Sequence, residues 1–329
     1  MRVFVVSMLL VFGFPFIMTD VVDSFETCKQ FFLKEPPMIS GILEKSVSKN
    51  QNVYRIICQK YKNIFRYATL YDITNKIPLF SAYKYTGHHT GKRPKSKWRT
   101  EPQLEDSNAG MSQGCSNQAC NGDYLNNQMN VSRGHLFPCC HAADEDTAES
   151  TFTLTNIVPQ SIIFNSGSWS RMEQKVREIM NSHCRDEKNR EEVSAYVLTG
   201  AVPNTKKPSA DVLNNRVNIP SHMWTVFCCF NSKSNKYVSQ AHWAENIDED
   251  TNDISVKTLK ELQDFLKSIY NKETSLFNGD CLDPLKADAS PPPNTDACDE
   301  PDVKKQSWWS TNKIFGTFWD FWAWLRGYF

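Results

Sequence analysis

Five stretches of the chain, 65–71, 78–85, 152–158, 195–202 and 224–230, are rich in β-branched and aromatic side chains and bounded by Gly, Pro or Asn. Each predicts a strand. Two stretches carry a helical period instead, 169–180 and 256–270. In the second, Val256, Leu259, Leu262, Leu266, Ile269 and Tyr270 fall on one stripe, with Ser255 placed to cap it. Strands in irregular order around a few helices predict an α+β fold with a central, mainly antiparallel sheet flanked by helices, and argue against a parallel doubly wound sheet. No internal repeat is visible.

The ends differ from this body, which is expected over 23–275. Residues 1–22 open with Arg2 and an apolar run broken by Gly13 and Pro15, too short to span a bilayer comfortably and readable as a secretory signal peptide. A buried N-terminal strand is the alternative. Residues 276–305 contain Pro291-Pro292-Pro293 and predict a stiff polar linker. The last segment, 306–329, holds Trp308, Trp309, Trp319, Trp322 and Trp324 together with Lys313, Asp320 and Arg326. It is too polar and too short to cross a membrane and predicts an amphipathic element that contacts a membrane surface or a protein partner. The competing reading is a helix docked on the protein's own body.

Composition narrows the function classes. The 329 residues are 40% hydrophobic and 22% charged, with 37 basic and 37 acidic side chains, so a nucleic-acid site must be a local patch and not the field of the whole molecule. All eleven cysteines follow residue 22, which points to an oxidising, secretory or extracellular setting with most of them paired in disulfides. Which pairs form is not legible. Cys115 and Cys120 would suit half a zinc site, but no second pair has matching spacing, so a disulfide or a plain core thiol is the better reading.

The chemistry concentrates in Ser132-Arg133-Gly134-His135, then Thr155-Asn156-Ile157-Val158-Pro159-Gln160, then Asn165, Trp169 and Glu173. Cutting a phosphodiester requires a base for water, and His135 suits it because an unperturbed imidazole, with a pKa of about 6.5, is neutral near pH 7. It also requires positive charge at the phosphoryl and leaving oxygens, the work of a divalent cation. Mg²⁺ needs few protein oxygens, so one Asn side chain can hold it. Asn165, Trp169 and Glu173 recur every four residues and would share one face of a helix beginning near Asn165. Taken alone, that stripe also reads as a helix cap, a core tryptophan and a solvated acid.

Order and content together resemble the DNA/RNA non-specific endonuclease family, whose fold is called ββα-metal. Flanking text agrees: Arg66-Tyr67-Ala68-Thr69-Leu70-Tyr71, Ile77 through Tyr83, and Trp98-Arg99-Thr100-Glu101-Pro102-Gln103-Leu104 resemble a secreted branch of it. The resemblance implies hydrolysis of DNA and RNA through the phosphate backbone, with Mg²⁺ or another divalent ion such as Mn²⁺. It implies His135 as general base, Asn165 as direct ligand, and Glu173 as support for the hydrated ion. Asn156 and Gln160 would shape the site, and Arg133 would contact phosphate or brace the fold. Arg93 would stabilise transition-state charge, since guanidinium grips phosphate in bidentate fashion.

The basic run from Lys84 to Arg99, with Lys92, Lys95, Lys97 and Arg99, is the expected nucleic-acid contact. A solvated basic loop is the plain alternative. One departure stands out: the family's motif usually begins with Asp where this chain has Ser132, which offers a neutral hydrogen bond in place of a charge. Asn130-Val131-Ser132 is also an acceptor for N-glycosylation beside the proposed base. These two features keep open a catalytically weak protein that binds nucleic acid or a partner. The aromatic tail keeps open a membrane-surface function.

Overall fold

The computed structural model describes residues 20–105, 115–205, 212–250 and 253–286. In chain order the main strands are β1 (Asp20–Val22), β2 (Tyr54–Tyr61), β3 (Ile64–Asp72), β4 (Ile77–Tyr85), β5 (Val131–His135), β6 (Ile157–Ser161), β7 (Ala195–Val202), β8 (His222–Asn231), β9 (Lys236–Glu245) and β10 (Asp283–Pro284). Eight of them form one sheet in the order β1-β2-β3-β4-β7-β8-β9-β10. Every neighbouring pair is antiparallel except β9 with β10. Strands β5 and β6 form a separate antiparallel pair. The main helices are α1 (Ser170–His183) and α2 (Leu259–Tyr270). The class is α+β.

Both faces of the central strands are covered, which is why their sequences read as nearly continuous apolar runs. Along β8, Met223, Phe227 and Cys229 turn to the layer that holds the β5–β6 pair and α1, while Trp224, Val226 and Cys228 turn to the layer that holds α2. The adjacent cysteines of β8 therefore staple opposite layers: Cys229 pairs with Cys184 at the end of α1, and Cys228 pairs with Cys281. Cys28–Cys58 and Cys115–Cys120 are also disulfides, the second being one of the two readings left open for that pair.

Several boundaries differ from the sequence reading. The run expected as a strand over 152–158 begins with a tight turn, Leu154–Asn156, and pairs only from Ile157. The second helix starts at Leu259, capped by the Thr258 side chain in a capping box with Glu261, and not at Ser255; Val256 lies before it and is 44% exposed. Strands β2 and β9 escaped notice because polar residues interrupt them, and β9 buries Ser239, Gln240 and His242. The body is longer at both ends than 23–275. Asp20–Val22 pairs with β2, and Asp20 forms an ion pair with Lys60 at 2.6 Å. Leu276 and Phe277 are core residues and Cys281 is disulfide-bonded, so the linker does not begin at 276. Residues 1–19, most of the predicted linker and the whole aromatic segment 306–329 lie outside the described residues. Among the described residues no helix is long and apolar enough to cross a membrane.

Candidate active site

The site is built on β5, β6 and the helical run that follows. In the pair, Ser132 faces Gln160 and His135 faces Ile157. Gly134 is where it must be: a Cβ there would lie 2.1 Å from Gln160 Oε1 and 2.6 Å from Gln160 Cβ, so no side chain fits beneath the Gln160 amide. Asn156 fixes the other end of the pair. Fully buried, it accepts from Phe137 N–H at 2.9 Å and from Ser81 Oγ at 3.0 Å, and donates to the carbonyls of Phe137 and Thr151 at 3.1 Å each. It thereby ties the chain leaving His135 to the turn before β6 and to β4. Asn156 and Gln160 thus both lie in the hairpin that carries His135.

His135 is the last residue of β5 and is 9% exposed. Trp98 and Phe152 flank its ring, with centroids at 5.5 and 5.2 Å. Burial pushes its pKa well below 6.5, and the charge of Arg93 lowers it further, so the ring is neutral at pH 7. Its Nε2 is buried and makes no hydrogen bond among the described residues. Arg93 belongs to the same group of side chains, its guanidinium 5.1 Å above the Phe152 ring. Trp98 opens one of the segments that carry the family resemblance and Phe152 begins an expected strand, but nothing in the sequence marks either as a neighbour of His135, because the contact is long-range.

Asn165 does not open the helix as its spacing suggested. A short turn of helix, Ile162–Phe164, comes first, and Asn165 begins a π-helical turn, Asn165–Trp169, that runs into α1. Its Nδ2 donates to Ser132 Oγ at 3.0 Å, and Ser132 Oγ donates in turn to the Gln160 carbonyl at 3.3 Å. This chain orients the amide, and with Nδ2 committed, Oδ1 is the atom Asn165 has to offer. Ser132 thus supplies the acceptor that Asp would supply, without its negative charge. A hard oxygen donor of this kind fits Mg²⁺ or Mn²⁺. Among the described residues no group of three His, Cys, Asp or Glu side chains gathers into a metal cluster, so the donor set differs from a zinc site.

Glu173 does share a face with Trp169, whose indole N–H donates to Glu173 Oε1 at 2.8 Å. Together with Tyr83, His141, Thr199 and Thr225 the two line a narrow cleft between α1 and the sheet. His141, missed in the sequence, hydrogen-bonds the Tyr83 hydroxyl at 2.8 Å through Nδ1 and the Glu173 carbonyl at 3.0 Å through Nε2. Burial above all lowers its pKa to about 3. The geometry groups Asn165 with Ser132, His135 with Trp98, Phe152 and Arg93, and Glu173 with Trp169 and His141. Ser132, His135, Asn165 and Glu173 stand on the hairpin and the helical run after it, and Arg93, Trp98, His141 and Phe152 come from other segments.

The remaining candidates divide. Arg133 lies over the rings of Trp98 and Tyr124 at 5.3 and 5.2 Å, and donates to Asn121 Oδ1 at 2.7 Å, contacts in keeping with a bracing role. Arg99 is also engaged, donating to the Glu149 carbonyl at 2.9 Å and stacking on Tyr61 at 5.3 Å. Lys84 lies 3.7 Å from Asp186, in another cleft. Lys92, Lys95 and Lys97 are exposed on the segment that carries Arg93 and Trp98. Asn130 is exposed, 3.4 Å from Asp248.

An antiparallel strand pair followed by a helix is in keeping with the ββα fold that the family resemblance implied. The model of the DNA/RNA non-specific endonuclease family matches residues 49–285, and the chain belongs to that family. It is similar to endonuclease domain-containing 1 protein of Mus musculus, with 27% identity over 270 residues that cover 78% of this chain and 48% of that protein. The Homo sapiens protein of the same name is 26% identical, covering 75% and 47%. Similarity to the nuclease of Serratia marcescens is 26% over 162 residues, covering 48% and 54%. The chain spans about half the length of the curated relatives it matches. Among solved structures, that of the EndoG/EndoGI complex aligns with a TM-score of 0.46 and 19% identity, covering 63% of this chain and 81% of that one.

Proposed function

We propose that this protein is a metal-dependent endonuclease that hydrolyses DNA and RNA phosphodiester bonds without strong sequence preference, in a secretory or extracellular setting. The observation that carries the reading is His135 Nε2: a buried, neutral imidazole nitrogen with no hydrogen-bond partner among the described residues, next to an arginine. Leaving such a nitrogen unpaired costs about 1–3 kcal/mol, and a site that binds a polar substrate offsets that cost. His135 accepts the proton of the attacking water. Arg93 stacks on Phe152, the ring that also flanks His135, and from there would meet a phosphate approaching the imidazole.

Asn165 would hold the cation through Oδ1, with Ser132 fixing the amide. When bound, the cation supplies positive charge for the phosphoryl and leaving oxygens. Ser132 and His135 are three positions apart on β5 and face opposite sides of it, so a phosphate would meet both base and cation at the end of the strand. Glu173 orients the surroundings of the ion through α1. The exposed Lys92, Lys95 and Lys97 contact backbone phosphates without reading bases. The disulfides are in keeping with an oxidising compartment.

Plasmid nicking tests this. The wild type cuts with Mg²⁺ and stops with chelator, while His135→Ala and Asn165→Ala, folded as judged by circular dichroism, lose at least about 100-fold in rate, the scale of one acid–base contribution. Unchanged cutting in either variant rejects the assignment. One observation favours a second reading: Ser132 removes a negative charge from beside Asn165. A wild-type protein that binds DNA with steep salt dependence but never cuts it with any divalent ion would be a nucleic-acid binder on a nuclease fold.

A further inference from the structure

The chain leaving β9 forms an acidic strap across the hairpin and the start of α1. Asn246 Oδ1 accepts from Ser161 N–H at 2.8 Å, and its Nδ2 donates to the carbonyls of Pro159 and Pro220 at 3.0 Å each. Asp248 accepts from Ser161 Oγ at 3.2 Å and from Asn130 Nδ2 at 3.4 Å. Asp250 takes the two terminal nitrogens of Arg171 at 2.9 and 3.4 Å, and Asp253 lies 2.6 Å from Lys175. One strap joins both hairpin strands to the helix.

Asp250 does more than pair with Arg171. Its carboxylate lies directly against Gly167: a Cβ on that glycine would come within 2.6 Å of Asp250 Oδ1 and 3.0 Å of its Cγ. Gly167 is where the helical run breaks, with φ −102° and ψ −112°, inside the turn that begins with Asn165. The pKa of Asp250 is lowered, first by the Arg171 hydrogen bond and also by the backbone N–H of Ser168, the residue after the break. A helix that restarts leaves its opening N–H groups without acceptors in the preceding turn, and a carboxylate is a favoured cap for them.

We propose that Asp250 is a positioning residue for the cation site: by capping the restart of the helix at Ser168, across Gly167, it sets the π turn from which Asn165 presents its amide oxygen. The inference rests on the reading of Asn165 as the cation's ligand. It also gives the non-helical Gly167 a purpose, since only a residue without a side chain lets the carboxylate approach the backbone.

The experiment is a Mn²⁺ titration read by the EPR signal of the free ion, with wild type, Asn165→Ala, Asp250→Ala, Asp250→Asn and Arg171→Ala, together with the KM for DNA of each. Asp250→Ala, which loses the acceptor, should weaken Mn²⁺ binding about tenfold, the lower end of what removal of a supporting group costs a metal site. Its KM for DNA and its thermal midpoint should stay near wild type. Asp250→Asn keeps an acceptor oxygen and should rescue most of the loss, and Arg171→Ala, which leaves the cap, should bind Mn²⁺ nearly as the wild type does. Wild-type Mn²⁺ affinity in Asp250→Ala overturns the inference, and so does an equal loss in Arg171→Ala. If Asn165→Ala binds as tightly as wild type, the ligand assignment itself falls; if it alone loses binding, only the role of Asp250 does.

Discussion

His135 is kept in its basic form by what surrounds it. Burial beside Trp98 and Phe152 penalises the charged ring most, and the positive charge of Arg93 adds to the penalty. A general base whose pKa lies below its ordinary value is deprotonated over a wider range toward acid. The rising limb of kcat/KM against pH, which reports the free enzyme, should therefore fall below pH 6.5. Arg93→Gln removes a positive charge that disfavours imidazolium, so it should move that limb to higher pH while lowering the maximum rate. A limb at or above pH 6.5 in the wild type, or a shift toward acid in the variant, contradicts the environment described. At this scale the sequence was informative where chemistry is compact: His135, Asn165 and Asn156 sit in short motifs with fixed spacing. It was silent on His141 and did not show that Trp98 and Phe152 flank His135, because these contacts come from packing between distant segments. It left Arg133 between phosphate contact and bracing, and the rings of Trp98 and Tyr124 near that guanidinium are in keeping with bracing.

The working element is the β5–β6 hairpin with the helical run after it, and it has three fastenings to the rest of the fold. Asn156 ties it to β4, the acidic strap ties it to β9, and the Cys184–Cys229 disulfide ties the far end of α1 to β8. That disulfide closes 45 residues, for which chain-entropy arguments give about 4 kcal/mol of stabilisation. The double variant Cys184→Ala/Cys229→Ala should lose stability of that order in urea unfolding under non-reducing conditions; a loss under about 1 kcal/mol would show that the packing of α1, and not the bond, holds the helix. Elements were legible in proportion to their apolar periodicity. Strand β7 matches the expected 195–202, α2 lies within its predicted run, and α1 follows its own but continues three residues beyond 180 to His183. The π turn at Asn165 and the tight turn at Leu154–Asn156 were not legible, because each is set by tertiary hydrogen bonds, one through Ser132 and one through Asn156 itself.

The whole molecule has no net charge, so capture of a polyanion depends on local placement of cations. The exposed Lys92, Lys95 and Lys97 are on the same segment as Arg93 and Trp98, which lie against His135, and this puts the charge expected to engage nucleic acid next to the base. The sequence conveyed the α+β class and the family, because the motifs span the hairpin and helix that define the site. It misplaced the limits of the body, because a short edge strand such as β1 and a disulfide-anchored tail such as 276–286 owe their order to partners far along the chain. Alternation along β5 sends His135 and Ser132 to opposite sides of the strand, so the base must reach the cation held near Ser132 around the strand's end. The most direct test is paramagnetic broadening of histidine ring signals by Mn²⁺ in the full-length protein, with Asn165→Ala as control. Stronger broadening of His135 than of His141, His222 or His242, lost in the control, is the predicted result. An unbroadened His135 while Mn²⁺ is bound would contradict a shared base-and-cation site.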